Sequence, residues 1–252
     1  MFELSTLLWL IPIGLLAGMT GPITAASSLF TIPCLILLGF DVKHALAIQI
    51  FASFIAWLVV TKHMLKAKHI RWEFVPAFLI LAVTGSAVGT FLAVQTPSDA
   101  LKNIVGVFII FASTLLIFAR KVGTEEKVKS KKSHIIGLFL NFGATLYAGF
   151  FAGGPGIILR TINLVFFGFT IIQSAATGGF IWVFIAGVST FIYALNGYLN
   201  LDNIFYAITL ATSMAVGSNF GSKAMLVMQL RLVKNFFVIF AVLSGLWIIF
   251  QS

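Results

Sequence analysis

The sequence has one cysteine, Cys34, seven acidic residues and only 9% charged residues in 252 positions. A lone cysteine has no intrachain partner, which excludes a disulfide scaffold. A water-facing domain carries about 25% charged residues. This chain cannot cover a solvated surface, so a soluble enzyme and a disordered segment are both excluded. The seven acids (Glu3, Asp41, Glu73, Asp99, Glu125, Glu126, Asp202) and the four histidines fall at the ends of apolar runs or in loops. No carboxylate is therefore expected at membrane depth to relay a proton or hold a cation. There is no Walker motif for ATP hydrolysis, and no His/Glu or nucleophile–base cluster for an intramembrane enzyme. No cofactor and no metal are expected.

What the chain has in abundance is apolar surface: 60% hydrophobic residues, 27 of them Phe, and a mean hydropathy of +1.08. This describes an all-α polytopic membrane protein. The net charge of +9 does not point to nucleic acid, because the basic residues lie in short loops between apolar runs, where they act as topology signals. The start, Met1-Phe2-Glu3-Leu4, is acidic where a signal peptide has a basic region. The first hydrophobic run is expected to stay in the mature protein.

A helix needs roughly 20 residues to cross the ~30 Å hydrocarbon core. Six runs qualify: Ala45–Thr61, Phe74–Val94, Leu101–Ala119, Gln173–Leu195, Asn203–Ser222 and Asn235–Phe250. Two longer stretches, Leu4–Phe40 and Ile135–Phe169, are too long for one helix and short for two. The first is interrupted at Thr20-Gly21-Pro22 and the second at Gly153-Gly154-Pro155-Gly156. Glycine and proline weaken the helix there, and the freed backbone groups need protein or water as partners. Each stretch is predicted to be two helical pieces joined by a break.

The two halves of the chain overlay at an offset of 129 residues. Leu38-Gly39-Phe40 falls on Phe167-Gly168-Phe169, and Lys68-His69-Ile70 on Gly197-Tyr198-Leu199. After a three-residue shift, Gly85-x-x-x-Gly89 falls on Gly217-x-x-x-Gly221 and Lys102-Asn103 on Lys234-Asn235. Both halves finish in a phenylalanine, Phe118 and Phe250. Residues 1–119 and 135–252 are thus read as two transmembrane repeats, joined by a basic linker at 120–134.

Charge then orients them. Lys62–Arg71 carries four Lys/Arg, the linker six and Lys223–Lys234 three, which together hold most of the 16. By the positive-inside rule these segments are cytoplasmic, and the loops around Asp41, Asp99 and Asn196–Asp202 are outside. Lys62–Arg71 and Asn196–Asp202 are equivalent loops on opposite sides, so the repeats are inverted and each crosses an odd number of times. The expectation is two inverted repeats of about five hydrophobic segments each, the first stretch of each broken, with both termini outside. Three crossings plus a re-entrant hairpin per repeat satisfies the same parity. Inverted repeats with paired broken helices are a transporter signature, with the substrate near the midplane where the breaks meet. The pairs Gly14–Gly18, Gly85–Gly89, Gly149–Gly153 and Gly217–Gly221 are read as helix-packing sites.

The candidate site residues follow from the breaks. A helix that restarts after a break presents unpaired N–H groups and the positive end of its dipole, which together form an anion site. Gly153, Gly154 and Gly156 supply such amides in the second repeat. Thr24, Ser27 and Ser28 offer hydroxyls at the matching place in the first, unless they cap their own helix. Arg160 lies one turn beyond Gly156 among Ile157, Ile158, Leu159 and Ile162. A guanidinium at membrane depth is costly and favours an oxyanion with its planar fork; the alternative is that it snorkels to an interface. Gln49 and Thr177 occupy matching places one helix later, as site residues or as interhelical hydrogen bonds. Asn141 and Asn163 are weaker candidates of the same kind, while Cys34 and the methionines are assigned to packing.

The same motifs resemble those of the TauE/SafE family of sulfite exporter-like permeases. The first repeat keeps Pro33, Leu37-Leu38-Gly39 and Ala45. The second keeps Gly153-Gly154-Pro155-Gly156, Gly168 and Ser174-Ala175-Ala176-Thr177. The first repeat departs from the family pattern, with Thr24-Ala25-Ala26-Ser27-Ser28 for a glycine triplet and Ile48-Gln49 for Thr-Ser. The resemblance implies a non-enzymatic permease in a bacterial inner membrane that moves a small sulfur-containing or organic anion such as sulfite, thiosulfate or sulfoacetate. An anion channel and a non-transporting accessory subunit stay open, as does a homodimer.

Overall fold

The computed structural model describes residues 4–66, 68–118, 128–152 and 154–224, and of residues 110–118 and 224 the backbone alone. The described chain is helical throughout: α1 (Leu4–Thr24), α2 (Ser28–Leu37), α3 (Val42–Lys66), α4 (Val75–Gln95), α5 (Ser98–Phe118), α6 (Lys131–Phe150), α7 (Pro155–Phe166), α8 (Ile171–Leu195) and α9 (Ile204–Ala224). Among the described residues α1, α3, α4, α6 and α8 are long and apolar enough to cross a membrane. The predicted last span, Asn235–Phe250, lies outside the described residues, as do Arg120–Lys127 of the linker, Gly153, and the matches at Lys234-Asn235 and Phe250.

Both long stretches break as expected, into α1 with α2 and α6 with α7. The first break, however, falls at Ala25–Ser27 and not at Thr20–Pro22, because α1 runs through Pro22 to Thr24. Proline removes the amide that would bond the carbonyl four residues earlier. That carbonyl belongs to Gly18, and the Ser218 hydroxyl of α9 donates to it at 3.3 Å. With its orphaned acceptor satisfied by a neighbouring helix, α1 continues for one more half-turn. At ten and twelve residues, α2 and α7 rise only ~15 and ~18 Å, short of a full crossing.

The 129-residue offset recurs in the backbone. Among the described residues, positive φ occurs at Ala25 (56°), Gly39 (90°), Lys68 (54°), Gly154 (84°), Gly168 (69°) and Gly197 (76°). These form three pairs, 25 with 154, 39 with 168 and 68 with 197, each at the 129-residue offset. The left-handed turns thus recur at equivalent places even where the residue types differ, and Ala25 and Lys68 bear the steric cost that glycine avoids.

Side-chain contacts set the helix directions. Along α1, Leu10 meets Ser213, Gly18 meets Ser218 and Met19 backs Gly221, so α1 and α9 run parallel. His63 of α3 meets Asn219, and Phe40, just before α3, meets Tyr206; α3 is therefore parallel to α9 as well. Likewise α4 runs parallel to α6, through Leu81 with Thr145 and Thr90 with Gly149. It is also parallel to α8, through Trp72 with Phe180 and Thr90 with Ser189. In contrast α3 and α8 are antiparallel: Ser53 meets Trp182 and Thr61 meets Gly179. The first and third helices of each half are thus parallel, and the segments holding α2 and α7 return the chain between them.

The glycine pairs are packing seams. A Cβ on Gly14 or Gly18 would strike Ser213 or the Met214 carbonyl, and one on Gly217 or Gly221 the carbonyls of Leu15 or Met19. Gly85, Gly89 and Gly149 make the same kind of backbone approach between α4 and α6. Small residues let membrane helices approach closely enough for dispersion to hold them without a hydrophobic drive. The two seams, α1 with α9 and α4 with α6, exchange on stepping five helices along the chain. Locally, α8 opens on a capping box in which Thr170 and Gln173 bond each other's backbone amides.

Candidate anion-binding site at the helix breaks

The two breaks lie against each other and against the middle of α3 and the first half of α8. Between them is a cavity of about 40 Å3 lined by Ser27 and Ser28 of the first break, Ala152, Gly156 and Arg160 of the second, and Ser53, Trp57, Ser174 and Trp182. Gly156 sets the spacing: a Cβ there would lie 2.6 Å from the Ala25 carbonyl oxygen and 2.9 Å from the Ala25 Cβ. Only glycine allows that approach. Across the same junction the Ser28 hydroxyl donates to the Ala152 carbonyl at 2.6 Å. Each short helix therefore ties its own start to the end of the other half's first helix.

Arg160 makes the reciprocal tie. Its Nη1 donates to the Ile23 carbonyl at 2.9 Å and its Nη2 to the Pro22 carbonyl at 3.2 Å. These acceptors belong to the last turn of α1, where carbonyls lack intrahelical donors and carry the negative end of the dipole. The guanidinium is thus a helix cap supplied from the other half of the chain. Two of its five N–H groups are used in this way, and the side chain also lines the cavity. Among the described residues Arg71 pairs with Glu73 at 2.6 Å, and the His44 ring lies 3.8 Å from Asp41. No described carboxylate neutralises Arg160, which leaves the cavity with positive charge.

Of the residues anticipated from sequence, Ser27, Ser28, Gly156 and Arg160 line the cavity. Ser27 sits at the start of α2 without capping it, and its hydroxyl has no partner among the described residues. Gly154 takes the left-handed conformation that opens α7, a backbone role that glycine fills without strain. Thr24 donates to the Thr20 carbonyl at 3.0 Å and accepts from the Ala26 amide at 3.2 Å, closing its own turn outside the cavity lining. Thr177 accepts the Arg71 backbone amide at 3.0 Å and ties a loop to α8. Gln49 is buried with Oε1 unpartnered, and it too lies outside the lining. Gly153 lies outside the described residues.

Sequence reasoning passed over Ser53, Trp57, Ser174 and Trp182. Trp57 packs its ring against Gly179, where a Cβ would stand 2.6 Å from Cζ3. Ser174 donates to the Arg160 carbonyl at 3.4 Å. Trp182 Nε1 donates to Ser53 Oγ at 2.7 Å across α3 and α8, and these two residues are 129 positions apart. The 129-residue offset of the sequence therefore relates this pair too, near the centres of α3 and α8.

A bundle of apolar spanning helices, two of them broken around a small positively charged cavity, is the architecture of a membrane permease. A family model described as "Sulfite exporter TauE/SafE" matches residues 10–248, and the chain belongs to that family. It is also similar to a "Probable membrane transporter protein" of Haemophilus influenzae, 24% identical over 227 residues, which cover 90% of this chain and 88% of that protein. No solved structure matches.

Proposed function

We propose that the protein is a secondary transporter of a small anion, with the substrate held between the two breaks. The observation that carries this reading is Arg160, a cation with no described carboxylate partner, in the lining of a cavity whose other walls are serines, glycines, two indoles and the apolar Ala25, Ala152, Leu159 and Ala175. Ser27 and the start of α7 add neutral donors beside it, so the cavity suits acceptor oxygens. A site that holds one water needs about 10–15 Å3; the volume here suits a compact oxyanion. Sulfite and thiosulfate fit that description better than sulfoacetate with its carbon chain. Membership of the sulfite exporter TauE/SafE family and the similarity to a probable membrane transporter support the transporter class.

The antiparallel α3 and α8, and the exchange of the two glycine seams, support inverted repeats at 1–119 and 135–252. Rocking one repeat against the other then gives alternating access. The basic segments support a reading in which the linker is cytoplasmic, the membrane is a bacterial inner membrane and both termini lie outside. No catalytic step is assigned. The test is flux into proteoliposomes containing the purified protein, using sulfite, thiosulfate, taurine, sulfoacetate, sulfate and chloride. Saturable uptake of one oxyanion, lost in Arg160→Ala, is the expected result. Unsaturable flux replaces the transporter with a channel; tight, folded vesicles without flux of any anion replace it with an accessory subunit.

A further inference from the structure

We propose that Ser53 donates a hydrogen bond to the transported anion and that Trp182 is the positioning residue that aims it. The inference rests on the anion-transport reading above and adds a contact between α3 and the substrate. An indole N–H is a donor with no acceptor capacity. In the 2.7 Å contact Trp182 therefore donates and Ser53 Oγ accepts, leaving the hydroxyl proton of Ser53 to point elsewhere.

In a helix that proton ordinarily returns to the carbonyl three or four residues earlier. Thr20, Thr84, Thr209 and Thr212 all make this bond here, at 2.7–2.9 Å. Ser53 does not, and no other acceptor meets it among the described residues. Yet Ser53 is 4% exposed, in surroundings where an unmet donor is expensive. The space left to it is the cavity it lines. Ser28 lines the same cavity but has given its proton to the Ala152 carbonyl. Ser53 is thus a donor held ready by its neighbour, facing the same space as the Arg160 guanidinium. An acceptor oxygen of an anion satisfies it; an ammonium group does not.

The experiment measures initial rates of radiolabelled sulfite and thiosulfate uptake into proteoliposomes, for wild type, Ser53→Ala, Ser53→Thr, Trp182→Phe and Arg160→Ala. Losing one hydrogen bond to a charged ligand raises KM about 10–100-fold in Ser53→Ala, with the maximal rate little changed. Ser53→Thr, which keeps the hydroxyl, restores KM toward wild type. Trp182→Phe keeps a ring but frees the serine to turn back on its helix, and gives an intermediate KM at an unchanged maximal rate. A wild-type KM in Ser53→Ala overturns the inference, and saturable uptake sensitive to Arg160→Ala then leaves the transport reading standing. If Ser53→Ala does not purify as a monodisperse protein, Trp182→Phe decides, and a wild-type KM there overturns it. Absence of saturable oxyanion uptake by wild type removes both readings together.

Discussion

Gly156→Ala separates the two breaks, and its effect can be worked from the contact at that point. The new methyl group would sit 2.6 Å from the Ala25 carbonyl oxygen and 2.9 Å from its Cβ. Two effects compete. Alanine is favoured over glycine within a helix by about 1 kcal/mol, and Gly156 lies in the first turn of α7. Against this, inserting a methyl into a packed junction costs about 1–3 kcal/mol. Relief requires moving Ala25, which is backbone and not a flexible side-chain end. Ala25 is held at φ 56° with its amide bonded to the Gly21 carbonyl at 2.8 Å. Because the methyl meets backbone, the clash falls in the upper part of its range, about 2–3 kcal/mol, and wins with a net loss of about 1–2 kcal/mol, or roughly 2–8 °C in melting temperature for a chain of this size. Gly143→Ala in α6 is the internal control, since a Cβ there meets nothing within 4 Å; it is expected to melt at or slightly above wild type. Intrinsic-fluorescence melts in detergent compare the three proteins, and oxyanion uptake reports whether Gly156→Ala also raises KM. A Gly156→Ala protein that melts like Gly143→Ala and transports like wild type would refute the reasoning.

Two further outcomes separate structure from site. Thr177→Val removes the acceptor of the Arg71 amide and is expected to cost about 1 kcal/mol of stability with KM unchanged; a KM rise without a melting shift would return Thr177 to the binding site. In a Cys34→Ser background, His69→Cys and Leu201→Cys report the two equivalent loops. A membrane-impermeant maleimide applied to intact cells is expected to label Leu201→Cys and to reach His69→Cys only after the membrane is opened. Labelling of both from one side contradicts inverted repeats.

Periodicity and punctuation carried much of the fold. The spans around α3, α4, α5, α8 and α9 were legible as uninterrupted apolar runs, and both broken stretches as runs too long for one helix. The first break lies beyond Pro22 because a proline does not by itself stop the helix here. Its effect depended on the Ser218 hydroxyl, 200 residues away in the chain, which satisfies the Gly18 carbonyl. The cavity lining was legible where a residue was chemically out of place in lipid: Arg160 stood out by charge, and Ser27 and Ser28 by their place in the break. Thr24 and Thr177 carried the same polar signal but bond nearby backbone. A hydroxyl's partner depends on distances of tenths of an ångström that sequence spacing does not contain.

Composition alone establishes the membrane class, because 9% charged residues cannot solvate a surface. The glycine and proline clusters mark the two long stretches that break, at places related by the 129-residue offset. Tertiary structure alone decides that Arg160 caps α1, that Gly156 is the point where the breaks touch, and that Trp182 turns Ser53 toward the cavity. Each of these contacts joins residues more than 120 positions apart. Their pairing follows from how helices pack and in which direction they run, and apolar periodicity specifies only which stretches become helices.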